Sequence, residues 1–172
     1  MKKVHHLFYA FIAVVGCELV GILSAFSMTD SISTWYVFLN KPAFTPPNWL
    51  FGPVWTTLYA LMGIAIFIVW NTKEPMMTRV RKVVGAKVNT HKQDAFILFG
   101  VQLVLNALWT PIFFGLKQPD LALIIIGFMW FAILWTIVLF YRVSKFAAYL
   151  LVPYLVWVSV AVYLNASIWL LN

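Results

Sequence analysis

The residues of this chain best suited to chemistry are tryptophans and tyrosines set at helical spacing beside a few amides. Trp55 and Tyr59 lie four apart and share a helix face. Gln102, Asn106 and Thr110 also recur every four residues, with Trp109 three beyond Asn106. Trp157, Ala161 and Asn165 form a third stripe, in which the small Ala161 leaves room between an indole and an amide. Indoles stack on flat aromatic molecules with offset geometry and carry one N–H donor each. A few such polar atoms in an apolar wall fix a ligand's orientation. Asn106 and the indole N–H groups of Trp55 and Trp157 are the polar atoms expected to do so. The plainer reading of the amides is interhelical hydrogen bonding, and of Ala161 close helix packing. Both readings stand at this stage. Trp35, Trp49 and Trp169 fit an interfacial aromatic belt.

Glu18 is the only acidic residue deep within an apolar stretch. A carboxylate there is costly unless it is paired, protonated or near water. A satisfied interhelical contact is the favoured reading, and a proton-coupling site the alternative. Conventional catalysis has nothing to work with: there is no glycine-rich phosphate loop, no paired catalytic carboxylates and no HExxH. The single Cys17 excludes a disulfide within the chain, and His5, His6 and His91 show no metal-ligand spacing with it.

Such stripes need helices, and the composition says in what solvent. Of 172 residues, 63% are hydrophobic and 10% charged, against about 45–50% and 25% in soluble domains. A helix crosses the hydrocarbon layer with about 20 apolar residues. Windows near 7–27, 50–70, 95–116, 121–141 and 146–171 qualify. The runs are continuous rather than alternating, which argues against barrel strands. The expected fold is an all-α membrane protein, a five-transmembrane-helix bundle forming a single domain over 1–172. Lys2 and Lys3 before an apolar run resemble the start of a signal peptide. That run is long and carries Glu18, so it is read as the first span.

Between the first two spans, Trp35 to Tyr59 reads WYVFLNKPAFTPPNWLFGPVWTTLY, with Lys41 as its only charge. Pro42, Pro46 and Pro47 remove backbone donors and bias their predecessors away from helix. The first half of this segment is therefore expected to be an ordered, non-helical aromatic loop, one wall of a pocket.

The net charge is +7. Ten of the twelve Lys and Arg residues fall on the side of the N-terminus and of the second and fourth loops. Lys and Arg excess marks the cytoplasmic side, which predicts the N-terminus inside, and the C-terminus and aromatic loop outside. The basic loop 71–94 is read as a topology determinant touching anionic headgroups, not as a nucleic-acid site.

Three separated segments carry a family resemblance: the one at 35–59 above, NALWTPIFFG at 106–115 and PYLVWVSVAVYLN at 153–165. In these the chain resembles the TspO/MBR family, the tryptophan-rich sensory proteins of bacteria and the mitochondrial translocator protein, or peripheral benzodiazepine receptor. Span number and spacing agree from end to end. The resemblance implies five membrane helices, usually in a homodimer, with a pocket covered by the loop after the first helix. It implies porphyrins and haem-pathway tetrapyrroles as ligands, and benzodiazepine or isoquinoline-type drugs. Carried residue by residue, it puts Tyr36 and Pro46 in the covering loop. Trp55 and Tyr59 fall on the second helix, Asn106 and Trp109 on the third, and Trp157, Ala161, Leu164 and Asn165 on the fifth. Ser24 follows from a looser alignment of the first helix. One departure concerns cholesterol: after Tyr163 the chain reads LNASIWLLN, without the Lys or Arg of the mammalian recognition pattern, which argues against a dedicated cholesterol site there.

The functional expectation is a membrane receptor or sensor for protoporphyrin IX and related tetrapyrroles, or haem held without strong axial ligation. No cofactor is required. The first alternative is light-dependent oxidative degradation of protoporphyrin IX, with Trp157 and Trp55 as candidate redox participants. The second is transport of tetrapyrroles or other small molecules. Gly100 and Ala107, seven apart on nearly one face of the third span, point to that helix as a dimer contact.

Overall fold

In the computed structural model the described residues are 2–26, 28–73 and 91–172. Four of the basic residues used above for orientation, Arg79, Arg81, Lys82 and Lys87, lie outside them. The elements are α1 (Lys2–Ala25), α2 (Thr29–Thr34), a 3-10 turn (Tyr36–Phe38), α3 (Asn48–Asn71), α4 (His91–Thr110) running into a π-turn (Pro111–Gly115), α5 (Pro119–Val143) and α6 (Lys145–Leu171). Five of these helices, α1, α3, α4, α5 and α6, are long and apolar enough to cross a membrane.

The spanning helices form a ring in the order α1, α3, α6, α5, α4, closed by contact of α4 with α1. Met62, Ile126, Met129, Phe140, Tyr154 and Val158 fill its core. The outward faces are apolar too, as a helix in hydrocarbon requires: Leu7, Phe11, Ile97, Phe128, Trp135 and Val156 are all exposed. Local chemistry sets the ends. The Lys92 ammonium donates to the Trp70 and Thr72 carbonyls at 2.6 and 3.0 Å, closing the end of α3. Ser144 caps α6 by accepting from the Ala147 N–H.

The aromatic segment needs a correction. It is ordered, but its first part is not wholly non-helical. A short helix, α2, precedes it, and Tyr36–Phe38 makes a 3-10 turn before the chain extends from Leu39. A proline restricts only its own residue and the one before. Pro42 therefore constrains Lys41 and leaves residues 29–38 free to turn. α1 also ends at Ala25 rather than near 27, and α3 begins at Asn48.

Pro111 explains the π-turn. It has no N–H, so the Ala107 carbonyl one turn earlier loses its partner. Beyond it the ladder resumes with a wider loop, Leu116 N–H to Pro111 O at 2.9 Å. Hydroxyls from elsewhere meet the irregular carbonyls. Ser31 on α2 donates to Phe114 O at 2.7 Å. The Ser24 hydroxyl lies 2.8 Å from Val20 O and 3.4 Å from Ala107 O. One proline thus supplies the sites that fasten the end of α1 and the start of the loop to α4.

At the loop end the chain terminus is also tied down. Asn172 Oδ1 accepts from the Asn40 backbone N–H at 2.9 Å, and Asn172 Nδ2 donates to Asn40 O at 3.1 Å. The C-terminus and the aromatic loop therefore share one end of the bundle.

Candidate functional site: an aromatic cavity inside the ring

A cavity of about 250 Å³ opens inside the ring at the loop end. Its formation starts from two glycines. A Cβ on Gly63 would fall within contact distance of Val14 Cα, and 2.8 Å from Val14 N. α1 and α3 therefore touch backbone to backbone at this level. One turn nearer the loop, the Tyr59 ring lies against Gly21, where any Cβ would collide with it. Beyond Tyr59 the gap between the helices is the cavity. Glu18, Gly21, Ile22 and Ala25 line it from α1, and Phe51, Trp55 and Tyr59 from α3.

Trp109 and Phe114 close it from α4 and its π-turn, Trp157 and Ala161 from α6, and Tyr36 from the loop. Among the described residues α5 contributes nothing to it. Aromatic rings interlock around the walls. Trp55 tilts on Tyr59 at 5.7 Å between centroids, and Phe51 meets Trp157 edge-on at 5.6 Å. Tyr36 packs on Phe114 at 5.6 Å, and the Lys41 ammonium sits 4.6 Å from the centre of the Tyr36 ring. Burial holds the Tyr36 phenol above the ordinary tyrosine range, so the cover presents a neutral hydroxyl. Ile22, Gly52 and Thr56 line the cavity and are also exposed. The cavity thus opens sideways, between α1 and α3, within the spanning segments.

Of the residues singled out in the sequence, Ser24, Tyr36, Trp55, Tyr59, Trp109, Trp157 and Ala161 line this space. Asn106 stands behind Tyr59 instead. Its Oδ1 accepts from the Tyr59 hydroxyl at 2.5 Å, and its Nδ2 donates to the Tyr154 hydroxyl at 2.7 Å. One amide thus joins α3, α4 and α6. Asn165 makes a second junction: it accepts from Trp109 Nε1 at 3.0 Å and donates to Pro119 O at 2.6 Å. Both amides are engaged by the protein itself and position the wall residues Tyr59 and Trp109. Leu164 is buried beside Asn165, and Pro46 is buried in the loop; neither lines the cavity. Gln102 approaches Met62 Sδ at 3.8 Å, and its Oε1 has no partner.

Trp157 differs from Trp109 in one respect. Its Nε1 is buried and has no hydrogen-bond partner. An unpaired buried donor costs about 1–3 kcal/mol, and this one belongs to a cavity wall. Phe51, Phe114, Gly21 and Ile22 are wall residues that the sequence reading missed. Phe51 was within reach, because it lies four before Trp55 on the same face. Gly21 carried the weaker signal of a glycine inside a helix, which often marks close approach.

A second depression, about 550 Å³, lies on the outside of the bundle between α3 and α6, around Pro53, Leu61, Pro153 and Val156. It is larger, but it is an open groove whose one hydroxyl side chain, Thr57, donates to the Pro53 carbonyl at 2.8 Å. The cavity inside the ring brings together the indoles of Trp55, Trp109 and Trp157 and the carboxyl of Glu18, and is therefore the candidate site. Trp157 borders both.

A ring of five helices long and apolar enough to cross a membrane, around an aromatic cavity and with a loop after the first, defines an integral membrane protein. The chain belongs to the TspO/MBR family, whose model matches residues 13–170. It is 42% identical over 153 residues to the tryptophan-rich protein TspO of Archaeoglobus fulgidus, covering 89% of this chain and 90% of that one. It is 41% identical to the tryptophan-rich protein TspO of Chlorobaculum tepidum, covering 91% and 90%. The human translocator protein is 38% identical over 135 residues, covering 78% of this chain and 73% of the human one.

Proposed function

We propose that the protein is a membrane receptor for flat, largely apolar molecules, with tetrapyrroles such as protoporphyrin IX as the leading ligand class. One observation carries this reading: Trp55, Trp109 and Trp157, from three different helices, line one cavity beneath Tyr36. Flat π-systems gain from offset stacking on such walls, and the sideways opening admits a ligand already dissolved in the bilayer. The decisive experiment is a titration of purified protein with protoporphyrin IX, in darkness and then under illumination. Saturable binding with no loss of porphyrin supports a receptor. Failure to saturate overturns the reading.

The second reading is light-driven oxidation of the bound porphyrin, favoured by the position of Trp157. Its indole lines the cavity and has a free donor. In this reading the photoexcited ring takes an electron from Trp157 and passes it to dioxygen, the oxidant. The Trp157 radical is refilled by an electron from the porphyrin, so that the net flow is from porphyrin to dioxygen. Trp157→Phe keeps an aromatic wall, removes the N–H and is harder to oxidise. Dark affinity should fall by no more than the three- to tenfold, roughly, that one hydrogen bond supplies, whereas light-dependent loss of porphyrin absorbance should collapse. Degradation at the wild-type rate in that variant would remove Trp157 from the chemistry.

The orientation is part of the proposal. The Lys and Arg asymmetry puts the loop, the cavity cover and the C-terminus outside the cytoplasm. A reporter that is active only in the cytoplasm should be silent when fused after Asn172. A strong signal would invert the topology.

A further inference from the structure

We propose that Glu18 is the ligand-selecting group of the cavity, taking a protonated amine or other N–H donor carried on a flat aromatic body and rejecting an anionic group at the same place. This rests on the receptor reading above and adds the chemical class that the site prefers. Glu18 lines the cavity and is half-buried. Among the described lining residues it is the only charged side chain. The sequence suggested an interhelical contact, but its carboxyl has no hydrogen-bond or ion-pair partner among the described residues. The phenol that packs one turn away, Tyr59 against Gly21, already donates to Asn106. Cys17 beside it is buried and outside the lining.

A carboxyl within a spanning segment is costly to leave unpaired. Glu18 is one of the residues lining the cavity, so a partner for its carboxyl can arrive with the ligand. The sign of the selection follows from what else is present. No Lys, Arg or His is among the described lining residues, so an anionic group drawn inside would meet the Glu18 carboxyl and no positive charge. The nearest structured cation to the cover is Lys41, on the Tyr36 ring. A ligand bearing both kinds of group is therefore oriented, with its donor nitrogen inward at α1 and its acid groups outward at the loop.

The test uses three probes with one tricyclic body: 9-(aminomethyl)anthracene, 9-methylanthracene and 9-anthracenecarboxylate. Each is titrated by quenching of tryptophan fluorescence into wild type and Glu18→Gln in the same zwitterionic nanodiscs, with protoporphyrin IX titrated alongside. In wild type the affinities should run amine, methyl, carboxylate from tightest to weakest. The amine-to-methyl ratio should fall about tenfold or more in Glu18→Gln, the worth of a hydrogen bond to a charged group. If that variant does not fold, Glu18→Asp, with its carboxyl drawn back by one methylene, should show a reduced ratio. An unchanged ratio in a folded variant overturns the inference, as does a wild type that prefers the carboxylate or does not bind the amine. Porphyrin saturation in those cases leaves the receptor reading standing. Loss of porphyrin and of all three probes in wild type overturns both.

Discussion

Gly63→Leu should unseat α1 from the bundle. The new side chain would meet Val14 N at 2.8 Å and Ala13 O at 2.9 Å, and these are backbone atoms that cannot rotate away. Overpacking a core costs about 1–3 kcal/mol, occasionally more. Here a whole branched side chain must enter a contact between two main chains, so the upper end is expected. α1 is an edge of the ring and one wall of the cavity, so its displacement should also abolish ligand binding. The matched comparison is Gly100→Leu. A Cβ there meets nothing within 4 Å, and the protomer should melt as wild type does. Any effect of that second change should appear only in association between copies, where the third span was expected to act. Equal melting temperatures for the two variants in one detergent would refute the backbone-contact account.

Asn106→Leu should be the second large effect, and its cause is polar. The change strands the Tyr59 hydroxyl and the fully buried Tyr154 hydroxyl together. Each stranded group costs about 1–3 kcal/mol, although membrane interiors give average values nearer 0.6. Ligand affinity should fall with stability, because Tyr59 is held in the wall by this bond. Removing the orphans tests the mechanism. A triple variant with Tyr59→Phe and Tyr154→Phe added should recover part of the lost melting temperature, since replacing all partners by apolar groups costs less than breaking a set. A triple variant less stable than Asn106→Leu alone would show that the hydroxyls were not the source of the loss.

These cases mark where sequence reasoning succeeds and stops. The five spans were legible because hydrocarbon demands long apolar runs, and no tertiary contact can change that requirement. The stripes were legible because Trp55 and Tyr59, or Trp157 and Ala161, must share a face once a helix forms. What periodicity does not contain is the neighbour. Asn106 and Trp109 are only three residues apart, yet one bonds two tyrosines behind the wall and the other is the wall. The difference lies in where α3 and α6 stand, which is a property of packing. Glu18 shows the same limit: a carboxyl at that depth signals a constraint, but only the arrangement of α1 and α3 shows that it lines a cavity. α2 was missed because prolines draw attention to what they forbid, and their reach is a single residue upstream.

Trp157 belongs to the cavity on one side and to the outer groove between α3 and α6 on the other. The groove lies on the surface that an acyl chain or a detergent tail would cover. Under the receptor reading proposed above, whatever fills it leans on the same indole that a guest would touch from within. Affinity is then a joint property of the polypeptide and its solvent, and constants measured in short-chain micelles and in native bilayers need not agree even for one guest and one sequence. The surrounding lipid becomes a variable of the binding reaction, to be specified as one specifies temperature.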